Sequence, residues 1–329
     1  MNIEKCKYFL NKLKRLFSHV IQIFLEFFPN LKDFGIKIAF YNLFGDMSMY
    51  FPQSLSKSLR KKQHDHIYNF LVNEFQYVIE YYKNNKIEVG ESNKKIWCMW
   101  WQGFENAPII VKKCVKTIEK YSGDYELILI TQNNYMDYAN IPNEIIRKVE
   151  NGKISITHFS DILRAKLLAE YGGIWIDSTM FICDYIFTEF DDMIFNSALL
   201  PKYNDVFSVR LSGFFMGGKP NMFFSFLYNF FKEYNLRYDR LVNYFLIDFG
   251  IEIAYDSFNE CKSYFDNITL INPKLLYFET NIDLFNKKEF KSICDRYKFF
   301  KVTQKLDPSF IYDQKGNLTY SGYFFIEDS

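Results

Sequence analysis

The sequence carries no GxxxxGK[ST] run and no GxGxxG, the glycine-rich loops whose backbone amides cradle phosphates. That removes the main support for a P-loop enzyme and lowers a nucleotidyltransferase or sugar-phosphate transferase, which would need such a loop or a phosphoryl-accepting group. Charge of one sign is also missing. The formal net charge is +1 over 329 residues, so there is no global pull toward nucleic acid, and no nucleic-acid reading module is present. Six cysteines, Cys6, Cys98, Cys114, Cys183, Cys261 and Cys294, form no CxxC pair and no zinc-type spacing. They read as reduced, mostly buried thiols rather than a disulfide framework. There are no internal repeats, no low-complexity tract and no apolar run long enough to span a bilayer. Residues 16–28 come nearest. Lys5, Lys7, Lys12, Lys14 and Arg15 precede them in the manner of a signal peptide, but Ser18, His19, Gln22 and Glu26 break the run and no small-residue cleavage site follows.

What is present is a chain 49% apolar, enough for a sizeable core, with a length that suits one large α/β domain plus an appendage or two small domains. Its first part reads as helices. Phe9, Leu10, Leu13, Leu16, Phe17, Val20, Ile21, Phe24, Leu25 and Phe28 recur at helical spacing on one face. Such a helix can dock on the protein's own core or lie on an anionic lipid surface, and the basic cluster Lys57, Arg60, Lys61, Lys62 permits the second reading. A further helix is expected over 63–82, then a polar linker over 83–94. The division expected is a helical region, 1–90, that can associate with a membrane, and a catalytic-type domain, 91–329.

From residue 96 the pattern changes. Short apolar runs at 96–101, 125–131 and 174–176 have strand length, and amphipathic stretches at 108–121, 143–149 and 160–171 have helix spacing. The order strand, helix, strand, helix, helix, strand predicts an open α/β sheet with mainly parallel strands.

The most informative stretch runs from Ser160 to Thr179. Ser160 reads as a helix N-cap, and Asp161 and Arg164, three apart, share one helix face. Gly172 and Gly173 allow a tight exit into a strand. Asp177 then stands at the strand's carboxyl end, where open α/β sheets bind ligands, and a carboxylate there suits a ribose hydroxyl or a divalent cation on a diphosphate. Each residue alone has a bland explanation as a surface ion pair or a turn; the set together is harder to assign to packing.

This stretch, S-D-I-L-R, then L, then Y-G-G-I-W-I-D-S-T, resembles the DXD-containing sugar transferases of glycosyltransferase family 32, and among them most of all the bacterial capsular polysaccharide synthesis proteins. Weaker likenesses follow in order: 95–103 with Pro108, 214–220, 244–248 and 303–306. The resemblance implies a GT-A-type, Rossmann-like fold with an N-terminal helical extension. It also implies a hexosyltransferase with a nucleotide-sugar donor, a UDP-sugar first, and retention of anomeric configuration. By position, Trp101, Gln102 and Gly103 would line the nucleotide pocket, Arg164 would face the diphosphate, and Asp161 would orient Arg164 or touch the sugar. Asp177 would hold ribose or a metal, and Gly217 and Gly218 would open space near the transferred sugar or acceptor. Asp248 is the candidate carboxylate near the anomeric centre, and Lys305 could supply positive charge to the leaving diphosphate.

The family pattern often has a second Asp where this chain has Thr179, a weaker ligand for a hard cation, so Mn²⁺ or Mg²⁺ held by Asp177 and Thr179 is an open expectation. Same-face attack and a covalent glycosyl intermediate both remain open. The implied partners are a glycan or lipid-linked glycan acceptor and a peripheral membrane contact, with no nucleic acid. The implied place is the cytoplasm, at the inner face of the plasma membrane. The competing reading is a non-catalytic, membrane-associated scaffold or sugar-binding protein of polysaccharide assembly.

Overall fold

The structure, a computed structural model, describes residues 3–88, 90–91, 93–187, 213–266, 274–279, 281–305 and 308–326, with side chains from residue 16 onward. It opens with the long helix α1 (Ile3–Met47), which contains Pro29 and breaks at Gly35, where φ 82 and ψ 172 are non-helical. The rings of Phe27 and Phe40 lie 5.2 Å apart. Thirteen residues of straight helix would separate them by about 20 Å, so the chain doubles back at this break. Helices α2 (Gln53–Glu74) and α3 (Gln76–Asn84) follow, covering the helix expected over 63–82.

Next come β1 (Lys95–Met99), α4 (Ile109–Lys120), β2 (Glu126–Ile130), α5 (Asn143–Glu150), α6 (Ile156–Tyr171) and β3 (Gly173–Ile176). This is the strand and helix order read from the sequence. After it come β4 (Met180–Ile182), β5 (Phe215–Gly218), α7 (Met222–Arg237), α8 (Leu246–Ser257), α9 (Asn259–Asp266), α10 (Lys287–Tyr297), β6 (Phe299–Lys301) and the single turn α11 (Tyr320–Tyr323). The main sheet has the order β2-β1-β3-β5. β1 pairs in parallel with both β2 and β3, while β5 runs antiparallel to β3. A separate antiparallel pair joins β4 to β6.

The sheet divides two hydrophobic cores, and the period-2 alternation of its strands assigns residues to each. Trp97, Ile128, Ile130, Trp175 and Met216 point into a core built by α5 to α8 and by buried residues of the N-terminal helices, among them Phe34, Ile38, Ile67, Leu71, Phe75 and Ile79. Ile96, Cys98, Ile174, Ile176 and Phe215 point the other way, onto α4, β4, β6 and the C-terminal aromatics. Polar latches reinforce the first core. His64 Nε2 lies 2.5 Å from Glu252 Oε2, and Asn42 donates to the Val242 carbonyl at 2.9 Å. Cys98, Cys114, Cys261 and Cys294 are buried free thiols, and Cys183 is a half-buried one.

The other side of α1 is apolar and uncovered. Phe17, Ile21, Phe24, Leu25 and Phe28 are all more than half exposed, Phe28 reaching 70%. Among the described residues no helix is long and apolar enough to cross a membrane.

Candidate active site

The carboxyl ends of β1 and β3 open into a cavity of about 600 Å³, the place where open α/β sheets take ligands. Its wall is built from Met99 to Gln102 at the end of β1, Ser160 and Arg164 on α6, Trp175, Asp177, Ser178 and Thr179 around the end of β3, and a strap from Lys301 to Lys305; Tyr244 and Glu279 also line it.

α6 starts earlier than the sequence suggests. Ser155, not Ser160, is the N-cap, accepting from the His158 amide at 3.2 Å. Ser160 therefore sits one turn inside the helix. Its hydroxyl donates back to the Thr157 carbonyl at 2.6 Å and accepts from Arg164 Nη2 at 3.1 Å. The serine is freed from capping and helps to aim the arginine.

Arg164 is buried and heavily tethered. Nε donates to the Ser160 carbonyl at 3.2 Å, Nη1 to the Gly213 carbonyl, and Nη2 lies 3.1 Å from Asp161 Oδ1 and 3.6 Å from Asp177 Oδ1. The guanidinium also lies over the Trp175 ring, 5.0 Å from its centroid, a cation–π contact. Asp161, itself buried, sits behind Arg164 and is not part of the cavity wall; His158 Nδ1 stands 3.7 Å from its other oxygen.

Asp177 leaves β3 into the cavity. Its Oδ1 accepts from Trp175 Nε1 at 3.0 Å, and its Oδ2 accepts from Lys301 Nζ at 3.0 Å. Burial by itself raises this carboxyl, but the Lys301 ammonium and the Arg164 guanidinium outweigh it and hold the group below the usual carboxylate range. Lys301 also donates to Thr179 Oγ1 at 2.5 Å. Its position follows from register: Lys301 pairs with Met180 across β4 and β6, and the Val302 amide donates to the Thr179 carbonyl at 3.0 Å.

Trp101, Gln102, Arg164, Asp177, Thr179 and Lys305, expected from the sequence, all line this one cavity. Trp101 is wedged beside Tyr135 and Phe159, with centroids 5.4 and 5.1 Å away. Gly103, at φ 91, turns the chain just beyond the wall. Asp248 lies in the first turn of α8, outside the lining. Burial, and next the charge of Asp161, push its carboxyl up to about 7.

Gly217 and Gly218 do not open space at the cavity. They are buried in β5, paired with Ile174 and Gly173. A Cβ on Gly217 would stand 2.5 Å from the Gly173 carbonyl oxygen, and one on Gly173 2.4 Å from that of Lys95. Close backbone approach across β1, β3 and β5 is what these glycines supply.

The sequence reading missed Lys301, Ser160 as an aiming residue, Tyr244 and Glu279. Lys301 had a readable signal. It is a lone cation ending a short apolar strand, the cationic counterpart of Asp177 at the end of β3.

The donor set does not fit a divalent cation. Asp177 Oδ2 and Thr179 Oγ1 both accept from Lys301, and Arg164 stands on the other side of Asp177. Among the described residues no group of three or more His, Cys, Asp or Glu is placed to hold a metal. A hard cation takes six or more oxygen ligands, and here it would have to displace an ammonium and sit beside a guanidinium.

Comparison with known proteins bears on the family of the chain. The family described as capsular polysaccharide synthesis protein matches residues 48–321. The chain is also similar to the O-glycosyltransferase braB of Annulohypoxylon truncatum, with 24% identity over 140 residues. That match takes in 40% of this chain and 31% of the fungal protein, so it spans about a third of that relative's length. On the extent of the family match, this chain belongs to the capsular polysaccharide synthesis protein family.

Proposed function

We propose that this member of the capsular polysaccharide synthesis family is a GT-A-type glycosyltransferase. It would move a hexose from a nucleotide sugar, a UDP-sugar first, to a glycan acceptor of capsular or surface polysaccharide, with retention of configuration. The observation that carries the reading is the convergence of Arg164 and Lys301 on Asp177 at the carboxyl ends of β1 and β3, with Lys305 on the wall of the same cavity. Three cations against the carboxylates of Asp177 and Glu279 leave the cavity suited to an anion, and Trp100, Trp101 and Trp175 give it flat apolar walls for a base or a sugar ring.

In this reading Lys305 and the uncommitted N–H of Arg164 Nη1 contact diphosphate oxygens through charged hydrogen bonds. A remaining lone pair of Asp177 accepts a ribose hydroxyl. The bond between the sugar C1 and the phosphate oxygen breaks with both electrons passing to that oxygen. The acceptor hydroxyl bonds to C1 on the same face, and its proton passes to the departing phosphate. The cations stabilise the charge that builds on the leaving group, the kind of preorganised electrostatics that dominates many such barriers.

The acceptor is proposed to be carried on a lipid at the inner face of the plasma membrane, with the protein cytoplasmic and peripheral. Two features support this. The apolar face of α1 is exposed at Phe17, Ile21, Phe24, Leu25 and Phe28. Residues 1–62 hold eleven Lys and Arg against four Asp and Glu, a net of +7, so the remaining 267 residues carry −6. A basic, amphipathic element of this kind adsorbs to anionic lipid.

The test is release of nucleoside diphosphate from a panel of UDP- and GDP-sugars by the purified chain. Turnover of one donor, lost in a folded Asp177→Ala variant, is the expected result. Absence of both turnover and donor binding, with and without a lipid-linked acceptor, would leave the scaffold reading in its place.

A further inference from the structure

Lys301 is held by two groups that the DXD resemblance would assign to a metal. Its Nζ lies 3.0 Å from Asp177 Oδ2 and 2.5 Å from Thr179 Oγ1, on a side chain 18% exposed. The Phe214 ring, 5.2 Å away, flanks the ammonium. An ammonium has three N–H donors, and no acceptor among the described residues takes the third. Lys301 lines the cavity beside Asp177 and begins the strap that carries Lys305.

Thr179 suits this arrangement where a second carboxylate would not. A hydroxyl fixes the ammonium without cancelling its charge, whereas two carboxylates would neutralise it and draw in a divalent ion. Asp177, shared by Lys301 and Arg164, orients two cations toward one space.

Resting on the glycosyltransferase reading, we propose that Lys301 is a catalytic residue. Its ammonium occupies the place of a divalent cation, binds the diphosphate of the donor and stabilises the departing nucleoside diphosphate, so that the enzyme works without metal. When the C1–O bond breaks, the electron pair arriving on the β-phosphate oxygen meets the third N–H of Lys301.

The experiment uses the full-length chain stripped of metal. UDP and GDP binding by calorimetry, and diphosphate release from the donor panel, are measured in EDTA and in Mn²⁺ or Mg²⁺. Wild type should bind and turn over equally in the two conditions, within about twofold. Lys301→Met should weaken diphosphate binding about 10- to 100-fold, as for loss of a charged hydrogen bond. It should lower turnover about 10²- to 10³-fold, as for loss of one preorganised donor, and Lys301→Arg should restore most of the binding. Wild-type turnover or binding that collapses in EDTA and returns with Mn²⁺ overturns the proposal and leaves the glycosyltransferase reading standing. So does a folded Lys301→Met chain that binds as tightly as wild type. If Lys301→Met does not fold, the wild-type chelator comparison decides alone. Failure of wild type to bind or turn over any donor in either condition defeats the underlying reading, and Lys301's role with it.

Discussion

Removing the Arg164 side chain should cost stability as well as activity, and the geometry says how much. Arg164→Ala strips charge compensation from Asp161 and Asp177 and leaves the Gly213 carbonyl without its donor. Breaking a buried ion pair from one side costs about 3–5 kcal/mol. Here the lower end applies, because Asp177 keeps Lys301 at 3.0 Å. Arg164→Lys retains a charge but loses the planar fork and its several donors, so a loss of about 1–2 kcal/mol is expected. Urea unfolding followed by tryptophan fluorescence measures both, with the m-value checked for constancy. A double-mutant cycle of Arg164→Met with Asp161→Asn should return a coupling of about 1–3 kcal/mol. A loss below about 1 kcal/mol for Arg164→Ala, or a coupling near zero, would refute the view that this guanidinium organises the site.

Two further outcomes follow from the same structure. The Asp248 carboxyl titrates at about 7 in the fold against an ordinary 3.8, so the folded state holds the extra proton between those values and stability should fall as pH rises through that window. Asp248→Asn should abolish that slope and raise the Tm at pH 8 relative to wild type; an unchanged pH profile by thermal denaturation would count against it. At the other end of the molecule, Phe24→Glu with Phe28→Glu should strip the chain from vesicles containing phosphatidylglycerol while leaving the fold intact, because both side chains are already exposed. Equal co-sedimentation of variant and wild type would remove α1 from the membrane contact.

Much of the sheet is legible in the sequence because its three parallel strands are short apolar runs separated by helix-length amphipathic stretches. What escapes does so for definite physical reasons. The apolar run ending at Gly218 has strand length, but hydrophobic patterning carries no direction, so the antiparallel pairing of β5 with β3 is invisible until tertiary structure sets it. β4 and β6 are three residues each, too short for a period-2 signal. The start of α6 is blurred because its first turn, Ile156, Thr157, His158 and Phe159, consists of β-branched and aromatic residues with weak helix propensity. In the site, Asp161, Arg164 and Asp177 stand out because the chemistry is packed into seventeen residues. Lys301 lies 122 residues from Thr179, and only strand register brings them together.

That register makes the C-terminal aromatics part of the site without touching it. Phe181 of β4 and Phe300 of β6 sit opposite each other in the pair that presents Thr179 and Lys301. Phe300 packs on Phe278 at 4.5 Å, and Phe181 on Phe324 at 5.2 Å, within a cluster that also takes in Phe290 and Tyr320. Three-residue strands cannot hold their own alignment, since so few ladder hydrogen bonds cannot offset the chain entropy of pairing them. The buried rings supply the difference, and a one-residue slip would turn every side chain of β6 to the opposite face. Lys301 would then leave Asp177, and the carboxylate would keep Arg164 as its remaining cationic partner. The position of the charge in the cavity is therefore decided by packing on the far side of the sheet, which is why a polar site at one end of the fold depends on phenylalanines that never reach it.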